Sequence, residues 1–76
     1  MNIQDFVVNF ANQFDDTELE VFALETRFRD LEEWSSLTGL AVMNMIAKKY
    51  EVKITPAELK SVETVEALYN LVASKK

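Results

Sequence analysis

The chain contains neither cysteine nor histidine. Without cysteine there is no disulfide, no thiol nucleophile and no thiolate metal ligand. Without histidine the usual general base and the commonest metal ligand are gone, and a serine triad built on imidazole is impossible. Basic residues are few, eight against thirteen acids, for a net charge of −5. Nucleic acid wants a basic face and is therefore not an expected partner. No apolar run approaches the roughly 20 residues needed to cross a bilayer. The opening Met1-Asn2-Ile3-Gln4-Asp5 lacks the positive and then apolar character of a signal peptide. These absences lead us to expect a soluble, cytoplasmic protein that is not an enzyme, holds no metal and has no membrane span. A monomer is the default expectation.

With 76 residues the chain is one domain, residues 1–76, and a small one. A chain of this size buries only about 60–65% of its unfolded surface. Its composition, 49% hydrophobic and 28% charged with five Phe, two Tyr and one Trp, fits a compact globule rather than a disordered chain. A deep active-site cleft and a core do not both fit in so little chain. The charge is unevenly spread. Residues 1–35 hold nine acids and two bases, whereas residues 36–76 hold four acids and six bases.

Ile3, Phe6, Val7, Phe10, Ala11 and Phe14 recur at spacings of three and four, the pattern of an amphipathic helix with an aromatic face. Asp15-Asp16-Thr17 is the expected end of that helix. Residues 15 to 35 hold no sustained period, yet Leu19, Val21, Phe22, Leu24, Phe28 and Leu31 are apolar, so this long loop is expected to be pinned to the core. Long ordered loops in compact domains are uncommon and often functional. Its acids at 15, 16, 18 and 20 lack the glycine and the spacing of a calcium loop and read as solvated charge.

Ser36 to Tyr50 is helical again. Gly39, Val42, Met43, Ile46 and Tyr50 share one face, the expected buried one. Leu37, Leu40, Ala41 and Met45 fall outside that stripe, and excess apolar surface on a short soluble helix either docks a partner or is covered by the long loop. Thr55-Pro56-Ala57-Glu58 is a helix start with threonine as cap, proline in the first turn and glutamate completing a capping box. That helix must be short, because a second start follows at Ser61 to Thr64. From Thr64 the positions Val65, Leu68, Tyr69 and Val72 make a final amphipathic helix whose terminal lysines suit the macrodipole. The fold class expected is all-α: a small four-helix bundle of three longer helices and one short helix, with a long first loop.

The second long helix begins at Ser35-Ser36. A serine there is preferred as a cap because its side chain accepts from an unpaired backbone N–H. With two adjacent serines, Ser35 can cap while the Ser36 hydroxyl stays free at the first helical position. A phosphate esterified at Ser36 would meet the open N–H groups and the positive end of the helix. Local sequence permits both readings, plain cap or attachment point.

The span from Phe28 to Val72 resembles an acyl carrier protein. Those proteins carry Asp-Ser-Leu at the start of their second helix, after a loop containing Phe-x-x-Asp-Leu. This chain has Phe28-Arg29-Asp30-Leu31, then Ser35-Ser36-Leu37, then Val42, Met43, Ile46 and Tyr50 at the corresponding apolar spacing. Val52-Lys53-Ile54-Thr55-Pro56 and Thr64-Val65-Glu66-Ala67-Leu68 follow in the family's order. The resemblance implies a 4′-phosphopantetheine arm esterified to Ser36 by a phosphopantetheinyl transferase. It implies acyl intermediates held as thioesters and presented to acyl-transferring and chain-modifying enzymes, in fatty-acid-like or specialised (polyketide-type) biosynthesis.

This chain departs from the pattern in three places. Ser35 stands where the family has aspartate, and Trp34 takes a place often filled by a small residue. A bulky indole there changes what partners accept or shields the base of the arm. The second helix carries Ala41, Ala47, Lys48 and Lys49 where the family shows carboxylates. Docking is therefore expected to run more through Leu37, Leu40, Ala41 and Met45, with Trp34 beside them and Glu32 and Glu33 contributing charge that steers the encounter. The competing expectation is a carrier-like helical interaction module that has lost the arm. A small carboxylate enzyme would need convergent acids, and these are scattered.

Overall fold

The computed structural model describes residues 2–76. Asn2 starts the first helix: its side-chain oxygen accepts from the backbone N–H groups of Gln4 and Asp5 at 2.8 and 3.3 Å. Helix α1 then runs Ile3–Ala11 and buries Phe6, Phe10 and Ala11. It ends earlier than the acids at 15 to 17 suggest. From Asn12 the winding tightens, with Gln13 N–H donating to the Phe10 carbonyl and Phe14 N–H to that of Ala11, both three residues back. The tighter turn still brings Phe14 into the core, so the apolar spacing outlasts the helix.

The long loop is folded onto the bundle rather than free. It holds two single 3₁₀ turns, Leu19–Val21 and Phe28–Asp30. Phe22 and Phe28 are buried, but Leu19 and Val21 are 54% and 47% exposed, against the expectation that all the loop's apolar residues are pinned inward. Thr26 organises the segment by accepting from Ala23 N–H and donating to the Val21 carbonyl. The loop is also stitched to the far end of the chain. Val65 N–H donates to Thr26 O at 3.2 Å and Glu66 N–H to Leu24 O at 2.9 Å, around an isolated antiparallel bridge between Arg27 and Thr64.

Helix α2 runs Ser36–Tyr50, helix α3 Pro56–Ser61 and helix α4 Val65–Lys75. Each start matches its sequence signal. Thr55 and Glu58 close a reciprocal capping box, and Thr64 accepts from Ala67 N–H. The end of α2 was not foreshadowed by a glycine: Glu51 takes the left-handed conformation, φ 56°, in which a side chain is strained. Beyond it Val52 and Ile54 alternate inward along an extended stretch while Lys53 faces out. Among the described residues the architecture is thus all-α, four helices with a long first connection, and no helix is long and apolar enough to cross a membrane.

Aromatic rings dominate one half of the core. Phe10 packs against Phe14, Phe22 and Phe28 at centroid distances of 5.4, 5.9 and 5.5 Å, in the tilted and edge-on arrangements that ring quadrupoles favour. Ile46, Val42, Val65, Leu68 and Val72 fill the other half, fully buried. Tyr50 closes one end, its ring 5.5 Å from Phe6 and its hydroxyl accepting from Asn9 Nδ2.

Candidate functional site

The two serines at the head of α2 are used differently. Ser35 is extended (φ −154°, ψ 176°), and its Oγ accepts from Thr38 N–H at 3.3 Å. Thr38 Oγ1 lies 3.2 Å from Ser35 Oγ and donates to the Glu33 carbonyl at 3.0 Å. A short hydroxyl relay therefore ties Ser35 to the incoming loop. Ser36, at the first helical position, is exposed, and among the described residues nothing hydrogen-bonds its hydroxyl. The first intrahelical bond is Gly39 N–H to Ser35 O. With Thr38 N–H capped, the N–H groups of Ser36 and Leu37 remain open at the positive end of α2.

Beside Ser36 lies a cleft of about 650 Å³ between the first turns of α2 and helix α3. Trp34, Gly39, Leu40, Met43, Pro56 and Leu59 give it an apolar lining, and Arg29 and Lys60 supply the only charges. Gly39 has a specific reason to be glycine. A Cβ there would stand 3.3 Å from the Trp34 ring, which would have to give by a few tenths of an ångström, whereas the Leu59 methyl at 3.5 Å would be in ordinary contact. The missing side chain thus lets the indole approach the helix backbone. Arg29 is held by the short helix: its Nη1 donates to the Leu59 and Val62 carbonyls at 3.1 and 2.7 Å, closing the end of α3.

The residues expected at a docking face separate into groups. Leu37 and Leu40 are 78% and 51% exposed beside Ser36, Glu32 is exposed, and Ala41 and Trp34 are half-buried. Met45 is the correction. It is 5% exposed and belongs to the core, whereas Met43, expected inside, is half-buried and faces the cleft. The stripe through Val42, Met45 and Ile46 is the one packed inward, and α1 is the helix packed against α2.

Glu33 is also differently employed. Its carboxylate accepts the Thr17 hydroxyl and the backbone N–H groups of Asp15 and Asp16, bracing the loop against the head of α2. The Thr17 hydroxyl above all holds this carboxyl below its ordinary value of 4.5; desolvation opposes that, and the backbone donors of Asp15, Asp16 and Thr17 add to it. Glu33 is thus a charged internal brace, half-buried. Sequence reasoning missed Arg29 and Lys60 as cleft residues. The acceptors of Arg29 lie thirty and thirty-three positions away, and exposed Lys60 reaches the cleft only through the placing of α3; neither leaves a local signal.

This arrangement offers a free primary hydroxyl at a helix N-terminus, open backbone donors around it and an apolar cleft alongside. It fits a phosphodiester at Ser36: the hydroxyl is accessible and unengaged, and the nearest donors suit phosphate oxygens. A family model described as the phosphopantetheine attachment site matches residues 5–72. No curated protein and no solved structure gives a match.

Proposed function

The chain belongs to the phosphopantetheine-attachment family, and from that premise we propose that Ser36 is the residue that bears its arm. Members of this family are carriers rather than enzymes and hold 4′-phosphopantetheine covalently. The observation that supports Ser36 is its contrast with Ser35. One hydroxyl is spent capping α2, and the other is exposed and unbonded at the next position.

In this reading the terminal thiol of the arm supplies the thioester on which an acyl intermediate travels. The chain's own contribution is to position and present. The open N–H groups of Ser36 and Leu37 and the dipole of α2 favour the phosphate's negative charge. In attachment the Ser36 Oγ–phosphorus bond forms as the pyrophosphate bond of coenzyme A breaks, and adenosine 3′,5′-bisphosphate departs. The hydroxyl proton leaves to a base of the phosphopantetheinyl transferase, since no side chain of this chain hydrogen-bonds the Ser36 hydroxyl among the described residues. Leu37, Leu40 and Ala41 are the apolar surface on which the transferase and the acyl-transferring or chain-modifying enzymes dock, with Glu32 steering their approach. The carrier serves fatty-acid-like or specialised (polyketide-type) biosynthesis in the cytoplasm, as a monomer.

The deciding experiment is an intact-mass spectrum after incubation with coenzyme A and a broad-specificity transferase, beside Ser36→Ala and Ser35→Ala. One phosphopantetheine is expected on the wild type and on Ser35→Ala and none on Ser36→Ala. Folded protein that stays unmodified with several transferases would leave the carrier-like interaction module as the better reading.

A further inference from the structure

One wall of the cleft beside Ser36 is a single large aromatic side chain. Trp34 lines it on one side. On the other, its ring lies 4.9 Å from Phe28 and 6.3 Å from Phe14, parallel to the latter within 29°. Phe28 is fully buried and Phe14 nearly so, so the indole stands between the open cleft and the aromatic half of the core. It is also wedged in place. The edge of the ring meets the backbone of α2 at Gly39, 3.3 Å from where a Cβ would be, and Leu59 of α3 closes on the same point.

We propose that Trp34 sets the depth of the cargo site. Resting on the assignment of Ser36 above, an apolar acyl group hung from that serine lies in the cleft between α2 and α3, against the indole face. It does not pass into the aromatic core. Three observations carry this. The cleft wall is apolar, from Leu40, Met43, Pro56 and Leu59, which suits a hydrocarbon chain and gives polar cargo few partners. The two cations at the cleft are poorly placed for specific recognition: Arg29 already donates twice to the end of α3, and Lys60 is exposed. Behind the indole, Phe10, Phe14, Phe22 and Phe28 pack ring against ring, so a chain reaching that region would have to displace well-packed side chains. A chain that reaches the indole therefore stops there, and whatever length lies beyond stays in water.

Trp34 is the only tryptophan, which makes it the natural reporter. Wild type, Trp34→Phe, Trp34→Ala and Gly39→Ala are charged by the transferase from coenzyme A and from its acetyl, octanoyl and hexadecanoyl thioesters, with loading confirmed by mass. Indole emission is read in the wild type and Gly39→Ala, and the melting temperature in all four. In the wild type, emission is expected to move to the blue from acetyl to octanoyl and no further with hexadecanoyl, with melting temperature following the same plateau. Trp34→Ala removes the floor, so hexadecanoyl should raise its melting temperature above that of its octanoyl form. Where Trp34→Ala does not fold, Trp34→Phe should show a smaller change in the same direction. Gly39→Ala, which crowds the ring from the α2 side, should alter the octanoyl response most.

A loaded wild type whose emission ignores the acyl group would overturn the proposal. So would melting temperatures that climb through hexadecanoyl equally in wild type and in the Trp34 variants. Absence of any mass gain overturns the Ser36 assignment together with this inference; a clean mass gain with either of those results overturns this inference alone.

Discussion

The Glu33 carboxylate accepts the Thr17 hydroxyl at 2.7 Å across sixteen residues of chain. This bond joins the end of the loop to its beginning just before the head of α2. The two flanking backbone donors of Asp15 and Asp16 complete a site that wants an ionised oxygen. Because folding lowers this carboxyl below its ordinary value of 4.5, its stabilising contribution is fully present above that value. It is lost as pH falls through the lower folded-state value. Glu33→Gln is expected to lower stability at neutral pH and to flatten the decline on the acid side of 4.5. Urea midpoints measured at stepped pH test this, and an unchanged slope would show that the brace carries no charge-dependent stability.

Arg29 closes α3 through the Leu59 and Val62 carbonyls. Arg29→Ala leaves both acceptors without that partner at a partly buried position, for an expected loss of about 1–3 kcal/mol. Hydrogen exchange should place the loss mainly in α3 and the cleft wall rather than in α1. Arg29→Lys has one compact ammonium in place of a planar fork and should recover only part of it.

Glu51 occupies left-handed backbone at φ 56° where α2 stops. Glycine adopts that conformation without a Cβ clash but has more unfolded-state entropy to lose. The balance favours Glu51→Gly by roughly 0.5–1 kcal/mol, since left-handed geometry costs an L-residue about 1–2 kcal/mol. The denaturation midpoint should rise with the m-value unchanged.

Leu37 is 78% exposed and packs little within the chain. Leu37→Glu should change stability by no more than about 0.5 kcal/mol, yet slow phosphopantetheine transfer to Ser36 if this surface receives the transferase. Glu32→Gln should act differently, mainly weakening the salt dependence of the transfer rate. Equal transfer rates for Leu37→Glu and wild type, by mass spectrometry over time, would remove Leu37 from the docking face.

Features that rest on neighbours within four positions were readable in the chain's order alone. The starts of α2, α3 and α4 were legible because Ser35, Thr55 and Thr64 each bind a backbone N–H three residues on. A division between a capping Ser35 and a free Ser36 was permitted by the sequence and is what the structure holds. The aromatic face of α1 was readable from spacing alone, although the end of the helix was not: Phe14 reaches the core from a tightened turn, and periodicity does not distinguish that from another helical turn.

Other features depend on which sides of an element are covered, and that is settled by packing. Met45 is inside and Met43 looks into the cleft, although both residues satisfy a helical period; which of them is covered depends on the neighbours packed around α2. Phe22 and Phe28 entered the core while Leu19 and Val21 stayed out, since a loop has no period to announce its inner face. Glu33 became a brace and Arg29 a helix stop through partners sixteen to thirty-three positions away. The cleft beside Ser36 exists only where Trp34, Gly39 and Leu59 converge. Such a meeting is set by packing, and no local stretch of the chain encodes it.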